Sequence, residues 1–208
     1  MHTMTKRSPQ TNMGWVVGFC FVLFVCLFVG VSIMGEVKTE TKRAREMEEE
    51  QTVEDIILKN DMQPHPEGGF FKETYRSDTR VHVTQDDGSI IERSAATAIV
   101  FLITDSNISR PHRLKSDETW HFYGGSPLVV WEWDSSTLQI TNTRMGPNIL
   151  EGEVVQHVVP AGKWFGSYSE GAYSFVGNTV SPGFEFSDFE LASSEQLRRM
   201  GYSPPSQP

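Results

Sequence analysis

Cysteine is almost missing from this 208-residue chain, which holds two, Cys20 and Cys26. Both fall inside one apolar run, so the residues after 34 contain no thiol, no disulfide and no Cys-based zinc site. Basic residues are scarce as well, with 18 Lys and Arg against 27 Asp and Glu and a formal charge of −9. Residues 52–208 hold 12 basic and 21 acidic side chains without a Lys/Arg-rich stretch, which disfavours nucleic-acid binding. There is no internal repeat, no phosphate-cradling glycine loop and no nucleophile–His–acid pattern. The glycines punctuate turns.

One long hydrophobic run is present. Gly14–Met34 is 21 residues without a charge, 17 of them hydrophobic. As a helix it would span roughly 30 Å, the thickness of a bilayer's hydrocarbon core. Trp15 stands near one end, where an interfacial aromatic belongs. A cleaved signal peptide is the rival reading, but its apolar region runs about 7–15 residues. The best cleavage site available, Gly30-Val31-Ser32, is poor. The expectation is an uncleaved, single-pass membrane anchor with the lipid bilayer as its partner. Its orientation stays open. Lys38, Lys42, Arg43 and Arg45 follow the span and outnumber Lys6 and Arg7 before it, while Asn107-Ile108-Ser109 is a glycosylation sequon that matters only in a lumen. The chain then divides into a tail (1–13), an anchor (14–34), a charged linker (35–51), a domain (52–204) and a short tail (205–208).

The domain reads as all-β with short flanking helices. Thr52-Val53-Glu54-Asp55 offers a helix start running through Lys59, and helical periodicity returns only at Ser194–Met200. Between them, short alternating segments are broken by turn residues such as Asp86-Asp87-Gly88, Gly124-Gly125-Ser126-Pro127 and Pro160-Ala161-Gly162. The spacing predicts strands near 69–76, 81–84, 89–92, 96–103, 118–123, 127–132, 137–142, 153–159, 164–168 and 172–180. Ten short strands without intervening helices imply an antiparallel sandwich or barrel.

Five of the six His residues lie in the domain, and the densest chemistry is the stretch from Ser109 to Gly125. It holds Arg110, His112, Arg113, Lys115, Glu118, Trp120 and His121, and 109–117 reads as a loop. Strand alternation puts Glu118, Trp120 and Phe122 on one face and Thr119, His121 and Tyr123 on the other. The same alternation pairs Glu73 with Tyr75 and turns Arg76 away. Trp131 and Trp133, alternating with Glu132, suit a packed sheet face or a dimer interface.

Glu118 with Gly125 seven positions on resembles the end of the first cupin motif, and Pro160-Ala161-Gly162 resembles the Pro-x-Gly of the second. Two further segments, Pro64 to Ser77 and Val180 to Glu190, are similar to one narrower group of single-domain cupins. That group is a domain of unknown function related to the deoxythymidine-diphosphate-sugar epimerases. The resemblance covers roughly residues 52–204 and implies a double-stranded β-helix (an RmlC-like jelly-roll barrel), paired as a homodimer, with a pocket in the barrel mouth. It implies a small polar ligand, sugar-like or nucleotide-sugar-like, bound by Glu73, Arg76, His112, Lys115, Glu118, Trp120 and Trp164. Two other readings stay open: an isomerase or epimerase with His112 as general base, and a non-catalytic interaction module. No cofactor is expected. Arg110 stands where metal cupins carry their first His, and Trp164-Phe165 replaces the His expected after Pro160-x-Gly162. His112 and Glu118 alone would give a divalent metal two ligands.

Overall fold

The computed structural model describes residues 52–85 and 87–202, together with four helical positions, 42, 43, 45 and 47. The expected tail (1–13), anchor (14–34), most of the linker (35–51) and residues 203–208 lie outside the described residues. Among the described residues no helix is long and apolar enough to cross a membrane. The chain divides into two units, 1–49 and 50–208.

Residues 52–59 are helical, and thirteen strands follow in the second unit. They are β1 (Gln63–Pro64), β2 (Phe70–Arg76), β3 (Arg80–Thr84), β4 (Ile90–Ser94), β5 (Thr97–Thr104), β6 (Ser109–Leu114), β7 (Asp117–Gly125), β8 (Leu128–Asp134), β9 (Gln139–Met145), β10 (Gln156–Val159), β11 (Trp164–Ser169), β12 (Tyr173–Ser181) and β13 (Phe189–Leu191). Six form one sheet in the order β1-β2-β5-β12-β7-β10, five form a second in the order β13-β6-β11-β8-β9, and β3-β4 is a separate hairpin. Every pairing between these strands is antiparallel. The segment expected as a loop at 109–117 is instead β6 and the start of β7. β6 pairs with β11 on one side and β13 on the other, and those ladders satisfy backbone groups that a buried loop would leave unpaired.

The two sheets enclose a core built from alternate residues of each strand, among them Phe101, Ile103, Trp120, Leu128, Val130, Phe165 and Val176. A second apolar cluster lies apart from it. Trp131, Trp133 and Trp164 pack with Met200 of the C-terminal helix Ser194–Met200, with Tyr168, Ala192 and Tyr202 beside them. That helix is held at its start by a capping box, in which Ser193 Oγ accepts from the Gln196 amide and Gln196 Oε1 accepts from the Ser193 amide. The tryptophan face is therefore a packed sheet face covered by the chain's own end.

Candidate functional site

A cavity of about 90 Å³, open to solvent, lies among residues of β2, β5, β6, β7 and β12. Its deep end holds four buried polar side chains: Glu67, His112, Glu118 and Asn178. Phe71, Phe101, Ile99, Leu114 and Val180 supply apolar wall. Glu73, Arg76, Glu185 and Phe186, all more exposed, stand at the mouth.

Glu67 is placed by a turn that only glycine can make. Gly68 has φ +111° and Gly69 φ +68°, and a Cβ at Gly68 would lie 2.1 Å from the Ile108 carbonyl oxygen. Asn107 Oδ1 accepts from the Gly69 amide at 2.9 Å, and the Arg110 amide donates to the Glu67 carbonyl at 2.8 Å. The Arg110 guanidinium folds back onto the Glu67 and Pro66 carbonyls. Arg110 and Asn107 thus hold the turn rather than face a ligand.

Two β-bulges complete the site. In β6, His112 pairs with Phe165 but Ser109 pairs with Ser167, so one extra β6 residue is taken up between them. Ser109 and His112, three apart, then share a face: Ser109 Oγ donates to Glu67 Oε1 at 2.8 Å, and His112 Nε2 lies 3.3 Å from Glu67 Oε2. In β2, Glu73 pairs with Ile99 and Tyr75 with Ala98, leaving Thr74 as the extra residue. The expectation that Arg76 turns away from Glu73 is overturned by this bulge. Arg76 pairs with Thr97, and its guanidinium donates to both Glu73 carboxylate oxygens at 3.0 and 2.8 Å.

Charge in the deep end is unevenly held. Burial opposes ionisation of Glu67, but His112, His65 and the Ser109 hydroxyl outweigh it and hold its carboxyl below the usual range. Burial pushes the His112 imidazole down, against the pull of Glu67. Nδ1 of His112 faces the Arg110 carbonyl at 2.7 Å and must donate to it, so Nε2 is the nitrogen that exchanges a proton with the Glu67 side. Glu118 behaves oppositely. Burial, reinforced by the Glu67 charge, raises its pKa to about 8, although the Trp120 N–H and the Asn178 amide favour its ionised form. Trp120 Nε1 donates to Glu118 Oε2 at 2.9 Å. The Asn178 amide lies beside Glu118 without completing a hydrogen bond. Both its nitrogen and its oxygen are buried and unpartnered.

Of the seven residues expected from the sequence, the cavity brings together Glu73, Arg76, His112 and Glu118. Trp120 stands behind it, in the core, touching the site through Glu118. Lys115 lies elsewhere: its Nζ donates to Gln85 Oε1 at 3.0 Å in a separate surface groove. Trp164 belongs to the outer tryptophan cluster, with the Arg113 guanidinium 4.7 Å from its ring centre. Sequence reasoning missed His65, Glu67, Asn178, Phe184, Glu185 and Phe186 as cavity residues. Five of these six lie within the two segments that carry the family resemblance. Asn178 had its own signal, an amide between Val176 and Val180 on the buried face of a strand. As for metal, His112 Nε2 is turned to Glu67 and Glu118 to Trp120. Among the described residues no group of three or more His, Cys, Asp or Glu is arranged to hold an ion.

Comparison with known proteins agrees with this architecture. A family model described as Cupin superfamily (DUF985), Cupin_5, matches residues 54–192. Uncharacterized protein YML079W of Saccharomyces cerevisiae is 31% identical over 152 residues, covering 66% of this chain and 75% of that protein. A hypothetical protein from Leishmania major is similar in structure, with a TM-score of 0.62 and 34% identity over 71% of this chain and 90% of that one. Protein SO0799 from Shewanella oneidensis gives a TM-score of 0.59 and 36% identity over 69% and 85%. The match over residues 54–192, more than half of the chain, places it in the Cupin_5 (DUF985) family of the cupin superfamily.

Proposed function

We propose that this chain is a ligand-binding cupin whose barrel-mouth cavity takes one small polar molecule, or the polar end of a larger one. The observation that carries the reading is Asn178. Only 3% of it is exposed, and neither its amide nitrogen nor its oxygen meets a partner. A buried amide left unsatisfied costs about 1–3 kcal/mol, and a ligand in the cavity would recover that cost. The volume, about 90 Å³, is well below the roughly 300–1,000 Å³ typical of drug-sized ligand sites, so any nucleotide portion would stay outside the mouth. The test is a thermal-shift screen of the full-length chain against sugars, small amides, amines and organic acids, run beside Asn178→Leu. The reading expects a stabilising ligand for the wild type. It also expects a variant at least as stable as the parent, because the orphaned amide is gone, and blind to that ligand. A silent library together with a destabilised Asn178→Leu would make Asn178 a structural residue and end the reading.

A second reading is favoured by the split between the two carboxyls. A site holding one ionised and one protonated carboxyl has the elements of acid–base chemistry. His112 Nε2, released from its 3.3 Å contact with Glu67, would remove a proton from a carbon next to a carbonyl while Glu118 gives its own proton to the carbonyl oxygen. Reversal of both transfers on the neighbouring carbon completes an isomerisation. Solvent deuterium appearing in a hydroxyketone incubated with the chain, and lost in His112→Gln, would establish it; no exchange in any such compound would remove it.

The reading includes a membrane tether at residues 14–34, supported by a 21-residue uncharged run. Alkaline carbonate extraction tests it: the full chain should stay in the membrane pellet, and release into the supernatant would exclude the tether.

A further inference from the structure

The charged groups facing the cavity are lopsided. Glu67 comes from the turn before β2, Glu73 and Arg76 from β2, Glu118 from β7 and Glu185 from the segment after β12. Four carboxyls thus face one guanidinium, with the imidazoles of His65 and His112 beside them. That guanidinium is already committed. Arg76 donates through Nε and Nη2 to Glu73, through Nη1 to Glu185 Oε1 at 2.9 Å, and through Nη2 to the Phe184 carbonyl at 3.2 Å. Every guanidinium nitrogen has a carboxylate acceptor, so an arriving anion would have to displace Glu73 or Glu185 to gain one. The apolar lining is aromatic. Phe71, Phe101, Phe184 and Phe186 all border the space, with His65 edge-on to Phe71 at 4.8 Å and Phe184 to Phe186 at 5.1 Å. The unpartnered Asn178 carbonyl oxygen is a further acceptor in the deep end.

Resting on the reading that the cavity binds a small molecule, we infer that its ligand is an organic cation, an alkylammonium group held by Glu67, Glu118 and Asn178 Oδ1 against the phenylalanine faces. Carboxylates supply the charge, and aromatic rings attract a desolvated ammonium. A cavity of about 90 Å³ suits a methylated ammonium head. Dianions such as oxalate or a sugar diphosphate meet four carboxyls and no uncommitted guanidinium nitrogen.

Binding also moves a proton. In the free chain Glu118 is protonated at neutral pH, its pKa being about 8. An ammonium beside it favours the carboxylate, so the acid proton leaves to solvent as the cation enters and no other bond changes. Affinity for the cation then rises with pH, by about fifteen-fold between pH 6.5 and 8 when the two events are fully coupled.

The test is calorimetric titration of the full-length chain, in nonionic detergent and phosphate buffer, with tetramethylammonium, tert-butanol and acetate at pH 6.5 and 8. Tetramethylammonium should bind at least ten-fold more tightly than either other probe and should tighten with pH. Glu118→Gln should flatten that pH dependence, and the exposed-ring variant Phe186→Leu should weaken the cation alone. Acetate or tert-butanol binding as well as the cation would overturn the charge assignment while leaving the cavity a ligand site. Silence from tetramethylammonium at both pH values overturns it too, and the wider screen with Asn178→Leu then judges the cavity separately.

Discussion

Ser109 and His112 stand three residues apart on one strand and reach the same carboxylate, one for each oxygen of Glu67. In a regular strand they would face opposite sides of the sheet. The β6 bulge turns them together and builds a buried pair, His112 and Glu67, that neither residue could form from a regular register.

The pair should show strong coupling. Removing one partner of a buried pair costs about 3–5 kcal/mol, whereas removing both takes the stranded group away as well. Glu67→Met and His112→Leu should each destabilise on that scale, and the double variant by clearly less than their sum. Urea unfolding of the four proteins at pH 7 decides it. Additive losses would mean that the two side chains do not interact.

Glu118 fixes the direction of a pH effect. Its pKa is raised by burial from 4.5 to about 8, so between those values the folded state holds a proton that the unfolded state has released. Stability from this group is full below about pH 4.5 and is lost as pH rises through 8. His112, held below its ordinary value, acts with the opposite sign at more acidic pH, where the unfolded chain takes up more protons. From pH 6.5 to 8.5 the Glu118 effect outweighs that of His112, which is nearly spent once the unfolded imidazole is half deprotonated at 6.5. Wild type should lose on the order of 2 kcal/mol across that window, and Glu118→Gln should lose much less, as read by urea midpoints.

Arg76 is partly exposed, and its ion pairs are screened by solvent. Arg76→Met should cost about 1 kcal/mol of stability, within the range of surface pairs. It should strengthen tetramethylammonium binding several-fold, because Glu73 and Glu185 are released at the mouth. Weaker cation binding in this variant would place Arg76 among the ligand's contacts instead.

Trp164 separates stability from binding. It is 6% exposed in the outer cluster, so Trp164→Leu should cost about 2–3 kcal/mol while leaving the affinity of any cavity ligand unchanged. A matching loss of affinity at temperatures where the variant is folded would bring Trp164 back into the site.

Much of the fold was legible. Period-two alternation and turn residues marked most of the long strands, and the capped helix at Ser194–Met200 appears over the range its pattern indicated. The site was legible in part, and the failures have physical causes. Alternation correctly placed Glu118 and Trp120 on one face, which the structure turns to the interior, because β7 is regular there. It failed for Arg76, which follows a bulge, because one inserted residue inverts every later assignment of face. The Ser109–His112 segment read as a loop, because the bulge inside it breaks the period that would have marked a strand. Lys115 and Trp164 were drawn into the site by proximity in sequence or motif, while strand direction carries them to other surfaces. Glu67 was hidden for another reason: a carboxylate set by a glycine turn has no periodicity to betray it.

The tryptophan cluster has an optical consequence. Three of the chain's five tryptophans, Trp131, Trp133 and Trp164, lie together beneath the C-terminal helix, and Tyr202 is 5.3 Å from the Trp131 ring. Emission from the intact domain is therefore dominated by a surface remote from the candidate ligand, and a binding event would barely register. Replacing those three with phenylalanine would leave Trp120 as the domain's single indole, hydrogen-bonded to Glu118. Its spectrum would then follow the ionisation of that carboxyl directly, making cavity occupancy visible as a shift in wavelength.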